Sequence, residues 1–359
     1  CAMSCGTAQK DGRVIFKVSC ELLRSDEAFV RSILEELREY LKHNSIYRGQ
    51  ALKLRLTSDD GKPLSLPEPK FINTAEVDRQ QLILSDEVMA AVETNLFTPI
   101  ERVHDLLANG LPVKRGVLLG GIYGTGKTLA ARVASKLAVE VGVTFIYISK
   151  ASDLAQAVQF AEQYASPAAV IFCEDIDREV TGERTAKMDE VLNIIDGLDT
   201  KSSPIIVVLT TNRLEKVNQA MLRPGRLDSV IEITNPDAKA VEKLFRYYGG
   251  ASISPKTPLV AVGHMLTGCI PAVVTEVVKR AKLAQLRLQP PGTPLGVISE
   301  DALLESAKTM QRQLTLLNYT PAAKPRDLED AMMSVIKRGL NGGGDAIAEK
   351  VALRLEPML

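Results

Sequence analysis

The residues best suited to chemistry lie in a glycine-rich stretch, residues 121–128, whose one-letter sequence is GIYGTGKT. This stretch matches the pattern GxxxxGK[ST], and it lies between an apolar run that ends at Leu119 and a helical pattern that starts at residue 129. Glycines let consecutive backbone N–H groups surround a phosphate, and the start of a helix adds partial positive charge. In such a loop Lys127 reaches the β- and γ-phosphates of a nucleotide and the Thr128 hydroxyl binds Mg²⁺. The alternative is a glycine-rich turn followed by Lys-Thr by chance, and the flanking strand and helix favour the phosphate loop.

Two adjacent carboxylates follow a second apolar run. Residues 170–173 are apolar, and Glu174 and Asp175 come directly after them. Phosphate chemistry uses one carboxylate to hold hydrated Mg²⁺ and another to orient the attacking water toward the γ-phosphate. The usual order is Asp then Glu, so by position Glu174 takes the metal role and Asp175 the water-activating role. The alternative is an acidic strand end that faces solvent, and the phosphate loop upstream favours the catalytic interpretation.

Two later segments add further polar residues. The apolar run over residues 205–209 continues into Thr-Thr-Asn, so Asn212 is expected at a strand tip beside the acidic pair, where its amide could bond both water and γ-phosphate. Arg223 and Arg226 flank a Pro-Gly pair just before the last apolar run. They suit a trans-acting finger, a guanidinium that one subunit places on the γ-phosphate bound by its neighbour. Surface salt bridges are the alternative use of these arginines.

The elements that must position these residues alternate between helices and short apolar strands from about residue 75 to residue 236. The predicted strands are residues 116–119, 143–148, 169–172, 205–209 and 230–233. Continuous apolar strands separated by helices are typical of a parallel sheet buried on both faces. The pattern therefore predicts an α/β core.

The whole chain is predicted to have four regions. Residues 1–72 form a small α+β domain with strands at 12–18 and 51–56, a helix at 26–43, and a proline-rich end at 63–69. Residues 73–236 form the α/β core. Residues 237–340 form a helical region with helices at 237–248, 271–288, 300–317 and 326–339, and residues 341–359 are a flexible joint followed by a C-terminal helix.

Composition excludes several classes of protein. Hydrophobic residues make up 45% and charged residues 25%, which is typical of a soluble globular protein. The 44 basic and 44 acidic residues cancel, so the charge balance argues against nucleic-acid partners. No apolar run reaches the roughly 18 residues of a membrane-spanning helix. The five cysteines are scattered without CxxC spacing, as expected of free thiols in a reducing compartment. We therefore expect a cytoplasmic protein without a membrane partner.

In their order and intervals, these segments resemble the AAA clade of the AAA+ ATPase superfamily over roughly residues 85–290. Asn212 corresponds to the sensor residue of that clade, Arg223 and Arg226 to its paired arginine fingers, and the helical region to its lid. The resemblance implies a P-loop NTPase fold, in which helices flank a parallel sheet and a C-terminal α-helical lid follows; here a small N-terminal α+β domain precedes it. It also implies Mg²⁺-dependent ATP hydrolysis by a homo-oligomeric ring, usually a hexamer, with each active site completed by its neighbour.

The resemblance assigns three sets of residues. The catalytic set is Lys127, Glu174, Asp175, Asn212, Arg223 and Arg226. The metal ligands are Thr128 and Glu174. The nucleotide-binding set is Gly121, Ile122, Tyr123, Gly124, Thr125, Gly126, Lys127, Thr128 and Leu129.

Two features narrow the resemblance and leave the function open between alternatives. Only residues 150–152 separate a predicted strand from the next helix, without the aromatic pore loop of protein-threading members. This short connection, the Glu-Asp order and the Thr-Thr-Asn sequence resemble the branch that contains the mitochondrial Rieske-protein translocase ATPase and its soluble bacterial relatives. The expected function is to remodel or move a macromolecule, foremost a protein, engaged directly or through an adaptor at the N-terminal domain. The alternatives are a nucleic-acid-directed motor and a ring that binds ATP as a scaffold without hydrolysing it.

Overall fold

The computed structural model describes residues 2–10, 13–21, 27–57, 63–176, 204–217 and 227–316. The chain divides into two compact units, residues 1–236 and residues 237–359. The predicted arginine fingers Arg223 and Arg226 lie outside the described residues, as do the predicted helix at 326–339 and the segment 341–359.

A seven-stranded sheet forms the centre of the first unit. Its strands are β3 (Ala51–Thr57), β4 (Pro63–Phe71), β5 (Arg115–Gly120), β6 (Thr144–Ile148), β7 (Ala169–Cys173), β8 (Ile205–Thr211) and β9 (Ser229–Glu232). The strand order is β4-β3-β6-β7-β8-β5-β9, and all neighbours are parallel except the antiparallel pair β3–β4. Every residue of β7 and β8 is buried, which explains why β7 and residues 205–209 of β8 are continuously apolar. The predicted α/β fold is confirmed.

Helices cover both faces of this sheet. Helix α5 (Lys127–Glu140) packs on the face that carries Phe145 and Phe172, together with α2 (Asp86–Val92), α3 (Thr98–Glu101) and α4 (Val103–Ala108). Helix α6 (Leu154–Tyr164) packs on the opposite face, which carries Ile146 and Ile171. Neighbouring residues of a strand point to opposite faces, so β3, β5, β6, β7 and β8 each contribute to both hydrophobic cores. The sheet thereby lies between two helical layers.

The structure corrects the prediction that residues 63–69 end a separate domain. These residues lie in β4, which within the described part of the chain is an edge strand paired with β3, and β3 pairs in turn with β6 of the central sheet. Proline is tolerated on an edge strand because alternate N–H groups there face away from the ladder. The prolines of β4 therefore led to the prediction of a linker. Strands β3 and β4 instead extend the sheet that the sequence predicted to start after residue 72.

The N-terminal residues form elements of their own. Strands β1 (Ala2–Lys10) and β2 (Arg13–Glu21) make an antiparallel two-stranded sheet in which Ala2 lies opposite Glu21. Helix α1 (Glu27–Asn44) follows, as the periodicity predicts. The sequence analysis found β2 but not β1, whose apolar and polar residues alternate poorly.

The second unit is helical over the residues described. It contains α7 (Ala238–Gly249), α8 (Val260–Met265), α9 (Pro271–Arg287) and α10 (Glu300–Leu316), and α9 contacts both α7 and α10. Three predicted helices are thus confirmed, whereas the six-residue α8 was missed because it is too short to show helical periodicity. Among the described residues of the whole chain, no helix combines the length and the apolar content needed to cross a bilayer.

Candidate nucleotide-binding site

The phosphate loop connects the end of β5 to the first residue of α5. Three of its glycines have positive φ: 148° at Gly121, 80° at Gly124 and 118° at Gly126. A Cβ added at Gly121 would lie 2.2 Å from the backbone oxygen of Ile233, which follows β9. Only glycine fits this position, so the loop backbone is held against the end of the sheet. The loop therefore uses the conformational freedom of its glycines, and phosphate binding by this loop stays a prediction.

Hydrogen bonds within the loop hold two of its polar side chains. The Thr125 hydroxyl donates to the carbonyl oxygen of Ile122 at 2.9 Å. The Lys127 ammonium donates to the carbonyl oxygens of Gly121 at 2.6 Å and Ile122 at 2.8 Å, and only 7% of this residue is exposed. A buried ammonium must be compensated by acceptors, which these carbonyls supply. The cation therefore lies against the loop backbone at the N-terminus of α5, where phosphate oxygens could replace the carbonyls as acceptors.

The hydroxyl of Thr128 and the carboxylate of Glu174 meet at the carboxyl edge of the sheet. Thr128 lies in the first turn of α5 and Glu174 directly follows β7, and Thr128 Oγ1 donates to Glu174 Oε1 at 2.5 Å. Hydroxyl and carboxylate oxygens are the hard ligands that Mg²⁺ prefers, and Mg²⁺ keeps several waters and phosphate oxygens besides few protein ligands. The pair fits such an ion, and no group of three or more His, Cys, Asp or Glu suited to a metal occurs within the described ranges.

Asp175 is held by the neighbouring strand β8. Its backbone N–H donates to Thr210 Oγ1 at 3.0 Å, and the Asn212 amide donates to its Oδ1 at 2.7 Å. Its φ of 50° is left-handed, a conformation that Asp tolerates better than most residues. The two adjacent carboxylates therefore have different environments, because Glu174 bonds to Thr128 and Asp175 bonds to Asn212. This separation is what the division into a metal-holding and a water-orienting carboxylate needs.

The sequence analysis missed one residue of this site, Tyr147 in β6. Its hydroxyl donates to Glu174 Oε2 at 2.6 Å. Burial, and then the neighbouring Glu174, raise the pKa of Tyr147 above its ordinary value, so its hydroxyl stays protonated at neutral pH. The available signal was weak: Tyr147 is the one polar-tipped aromatic residue in an apolar strand, and only the sheet order shows that this strand neighbours the one preceding Glu174.

The structure therefore brings most of the predicted residues to one edge of the sheet. The loop is joined to β8 by the Gly121 N–H, which donates to the Thr211 oxygen at 3.2 Å, directly before Asn212. The side chains of Ile122 and Tyr123 are exposed at 45% and 66%, so they are accessible to a ligand. The predicted short connection after β6 is also present, as a single 3-10 turn, Ala151–Asp153, before α6.

Comparisons with known proteins agree with this geometry. The family described as "ATPase family associated with various cellular activities (AAA)" matches residues 117–235. The ATP-dependent zinc metalloprotease FtsH 3 of Petrotoga mobilis is 33% identical over 199 residues, which are 50% of this chain and 30% of the relative. FtsH 2 of Symbiobacterium thermophilum is 31% identical over 216 residues, 52% of this chain and 36% of the relative. FtsH of Kosmotoga olearia is 29% identical over 238 residues, which are 60% of this chain and 35% of the relative.

The chain spans about a third of the length of these curated relatives. The matched segment runs from β5, which precedes the phosphate loop, through β9, and so includes every predicted catalytic residue. The narrower resemblance to the Rieske-protein translocase branch stays a prediction. Residues 117–235 are an ATPase domain of the AAA+ superfamily, with ATP and Mg²⁺ as its cofactors.

Proposed function

We propose that this site hydrolyses ATP with Mg²⁺ and that the energy drives work on a macromolecule. The observation that carries the proposal is a pair of hydrogen bonds, Thr128–Glu174 at 2.5 Å and Asn212–Asp175 at 2.7 Å. Both lie beside the loop of residues 121–128, whose three glycines have positive φ. A phosphate-binding loop alone would support binding. The second, separately held carboxylate supports turnover.

Each side chain then has a role that follows from its position. The loop N–H groups and Lys127 bind and orient the phosphates, and Thr128 with Glu174 would hold Mg²⁺, which neutralises charge on the phosphates when it is bound. Asp175 orients the attacking water, and Asn212 keeps its carboxylate in place. Asp is one methylene shorter than the Glu usually found at this position. The role is retained, because a water-orienting group works mainly by geometry.

We further propose that the active form is a homo-oligomeric ring, usually hexameric in this superfamily. Arg223 and Arg226 would complete the site of the neighbouring subunit, as their Pro-Gly spacing predicts. The matched relatives are named as ATP-dependent proteases, which supports a protein as substrate. The short connection after β6 supports remodelling or movement of a protein more than threading through an aromatic pore loop. A cytoplasmic location remains a prediction from the sequence.

The zinc-dependent proteolysis named for those relatives is not proposed for this chain. Such enzymes bind zinc through the helical motif HExxH, whose two histidines are four residues apart. The 359 residues contain three histidines, His43, His104 and His264, and none of them belongs to such a motif. The balanced charge also argues against a nucleic-acid-directed motor. A non-hydrolysing scaffold ring is the alternative that the reversed acid pair supports.

The test is steady-state ATP hydrolysis by the full chain, combined with calorimetric ATP binding. Lys127→Ala should abolish or nearly abolish both, because it removes the cation that faces the β- and γ-phosphates. Lys256→Ala is the matched control, since Lys256 is an exposed lysine in the second unit. Unchanged ATP affinity and turnover in Lys127→Ala would refute the site. An assembled, Mg²⁺-saturated wild-type chain that binds ATP without turnover would favour the scaffold.

A further inference from the structure

The Glu174 carboxylate is held at both of its oxygens. Thr128 donates to Oε1 at 2.5 Å and Tyr147 donates to Oε2 at 2.6 Å. Two hydroxyl donors from different elements, α5 and β6, leave the carboxylate little freedom to rotate. The carboxylate is therefore aimed by a residue that is not part of the phosphate loop or of the acid pair.

The Tyr147 ring is itself fixed by its neighbours. Tyr147 lies opposite Phe172 in the parallel β6–β7 ladder, and the two rings stack with centroids 5.9 Å apart and planes at 26°. The ammonium of Lys53, from β3, lies 5.3 Å from the centre of the same ring. Such contacts restrict the ring and so direct its hydroxyl toward Glu174.

We propose that Tyr147 is a positioning residue for Mg²⁺ binding, acting through Glu174, and that the glutamate at this strand end depends on it. The inference rests on the proposed function of the site. Glutamate has one more rotatable bond than aspartate, so an unrestrained Glu174 would sample more orientations. The hydrogen bond from the Tyr147 hydroxyl restricts the Glu174 side chain. An aspartate at position 174 has a side chain one methylene shorter, so its carboxylate would not reach this hydroxyl. Partners that orient a metal ligand from behind affect metal affinity by about 10- to 100-fold.

The experiment measures Mg²⁺ dependence in two ways on the full chain: calorimetric ADP affinity at graded Mg²⁺, and the Mg²⁺ concentration that gives half-maximal ATP hydrolysis. Tyr147→Phe removes only the hydroxyl and keeps the stacked ring. We expect it to raise the Mg²⁺ requirement in both measurements by about tenfold or more. Its affinity for ADP without Mg²⁺ should be unchanged. Tyr164→Phe is the matched control, because Tyr164 is also a half-buried tyrosine but packs on Tyr47 and Phe160, away from Glu174.

A second background separates positioning from packing. In Glu174→Asp the shorter carboxylate should no longer accept a hydrogen bond from Tyr147. Adding Tyr147→Phe to this variant should therefore change the Mg²⁺ requirement by less than about twofold. Such non-additivity is typical of two residues in contact. Full additivity of the two substitutions would overturn the inference. An unchanged Mg²⁺ requirement in Tyr147→Phe, with or without a lower thermal midpoint in the absence of nucleotide, would overturn it too.

Failure of this inference is distinguishable from failure of the proposed function. If the wild-type chain hydrolyses ATP with Mg²⁺ and Tyr147→Phe behaves like Tyr164→Phe, the ATPase assignment stands and Tyr147 only packs. If the wild-type chain binds ADP without any Mg²⁺ dependence and does not hydrolyse ATP, both the proposed function and the role of Tyr147 are refuted.

Discussion

Removal of the Asn212 amide should slow hydrolysis without preventing nucleotide binding. Its Nδ2 donates to Asp175 Oδ1 at 2.7 Å, a hydrogen bond to a charged acceptor. Such bonds contribute about 1.5–3 kcal/mol. At about 1.4 kcal/mol for each tenfold change in rate, Asn212→Ala should lower kcat by about 10- to 150-fold if the bond acts fully in the transition state. The Asp175 backbone stays anchored through Thr210, so the fold should be retained.

The assay is steady-state ATP hydrolysis at saturating Mg²⁺ together with binding of ATP measured by calorimetry. Asn212→Asp should be worse than Asn212→Ala, because a second anion would then face the Asp175 carboxylate. Asn109→Ala is the control, since the exposed Asn109 amide bonds to the backbone oxygen of Asp105 at the end of α4, away from the acid pair. Unchanged kcat in Asn212→Ala would refute the proposed orienting role. An equal loss of ATP affinity and of rate would show that Asn212 acts on binding instead.

Three further predictions follow from the site. Gly121→Ala should lower the midpoint of denaturant unfolding by more than Gly110→Ala. Both glycines have positive φ, but a Cβ at Gly121 would lie 2.2 Å from a backbone oxygen, whereas one at Gly110 would have no atom within 4 Å. Equal midpoints for the two variants would contradict this geometry. Asp175→Asn should keep ATP and Mg²⁺ bound while it stops turnover, and Glu174→Gln should raise the Mg²⁺ requirement; the reverse pattern in a Mg²⁺ titration of hydrolysis would exchange the two roles. Arg223→Ala should leave ATP binding intact and lower the rate of hydrolysis by about 10³- to 10⁵-fold. Mixing this variant with Lys127→Ala should restore partial activity, because some interfaces of a mixed ring pair an intact phosphate loop with an intact arginine. No recovery in rings shown to be mixed would remove support for a trans-acting finger.

The sequence by itself predicted a phosphate loop at residues 121–128 and polar residues at the strand ends. Glycine, lysine and threonine at fixed spacing leave few other uses, because the pattern depends on local backbone geometry and on the residues that directly follow. The strands β5 to β8 were likewise predictable, since strands buried on both faces are largely apolar. The edge strand β9 was predicted from a short apolar run, although only Ile231 of this strand is buried. The roles of Glu174 and Asp175 were assigned from their order alone, and they remain predictions for the experiments above.

Tertiary structure decided what lies across the sheet from those residues. Local sequence carries no signal for strand order, so it could not show that β6 neighbours β7 and that Tyr147 therefore bonds to Glu174. It also could not show that the proline-rich residues of β4 form an edge strand. Every second N–H group of an edge strand needs no partner in the ladder, so an edge strand tolerates proline and can have the composition of a linker. Pairing between distant segments is a property of the folded chain, and in this protein it supplies the second hydroxyl that holds the Glu174 carboxylate.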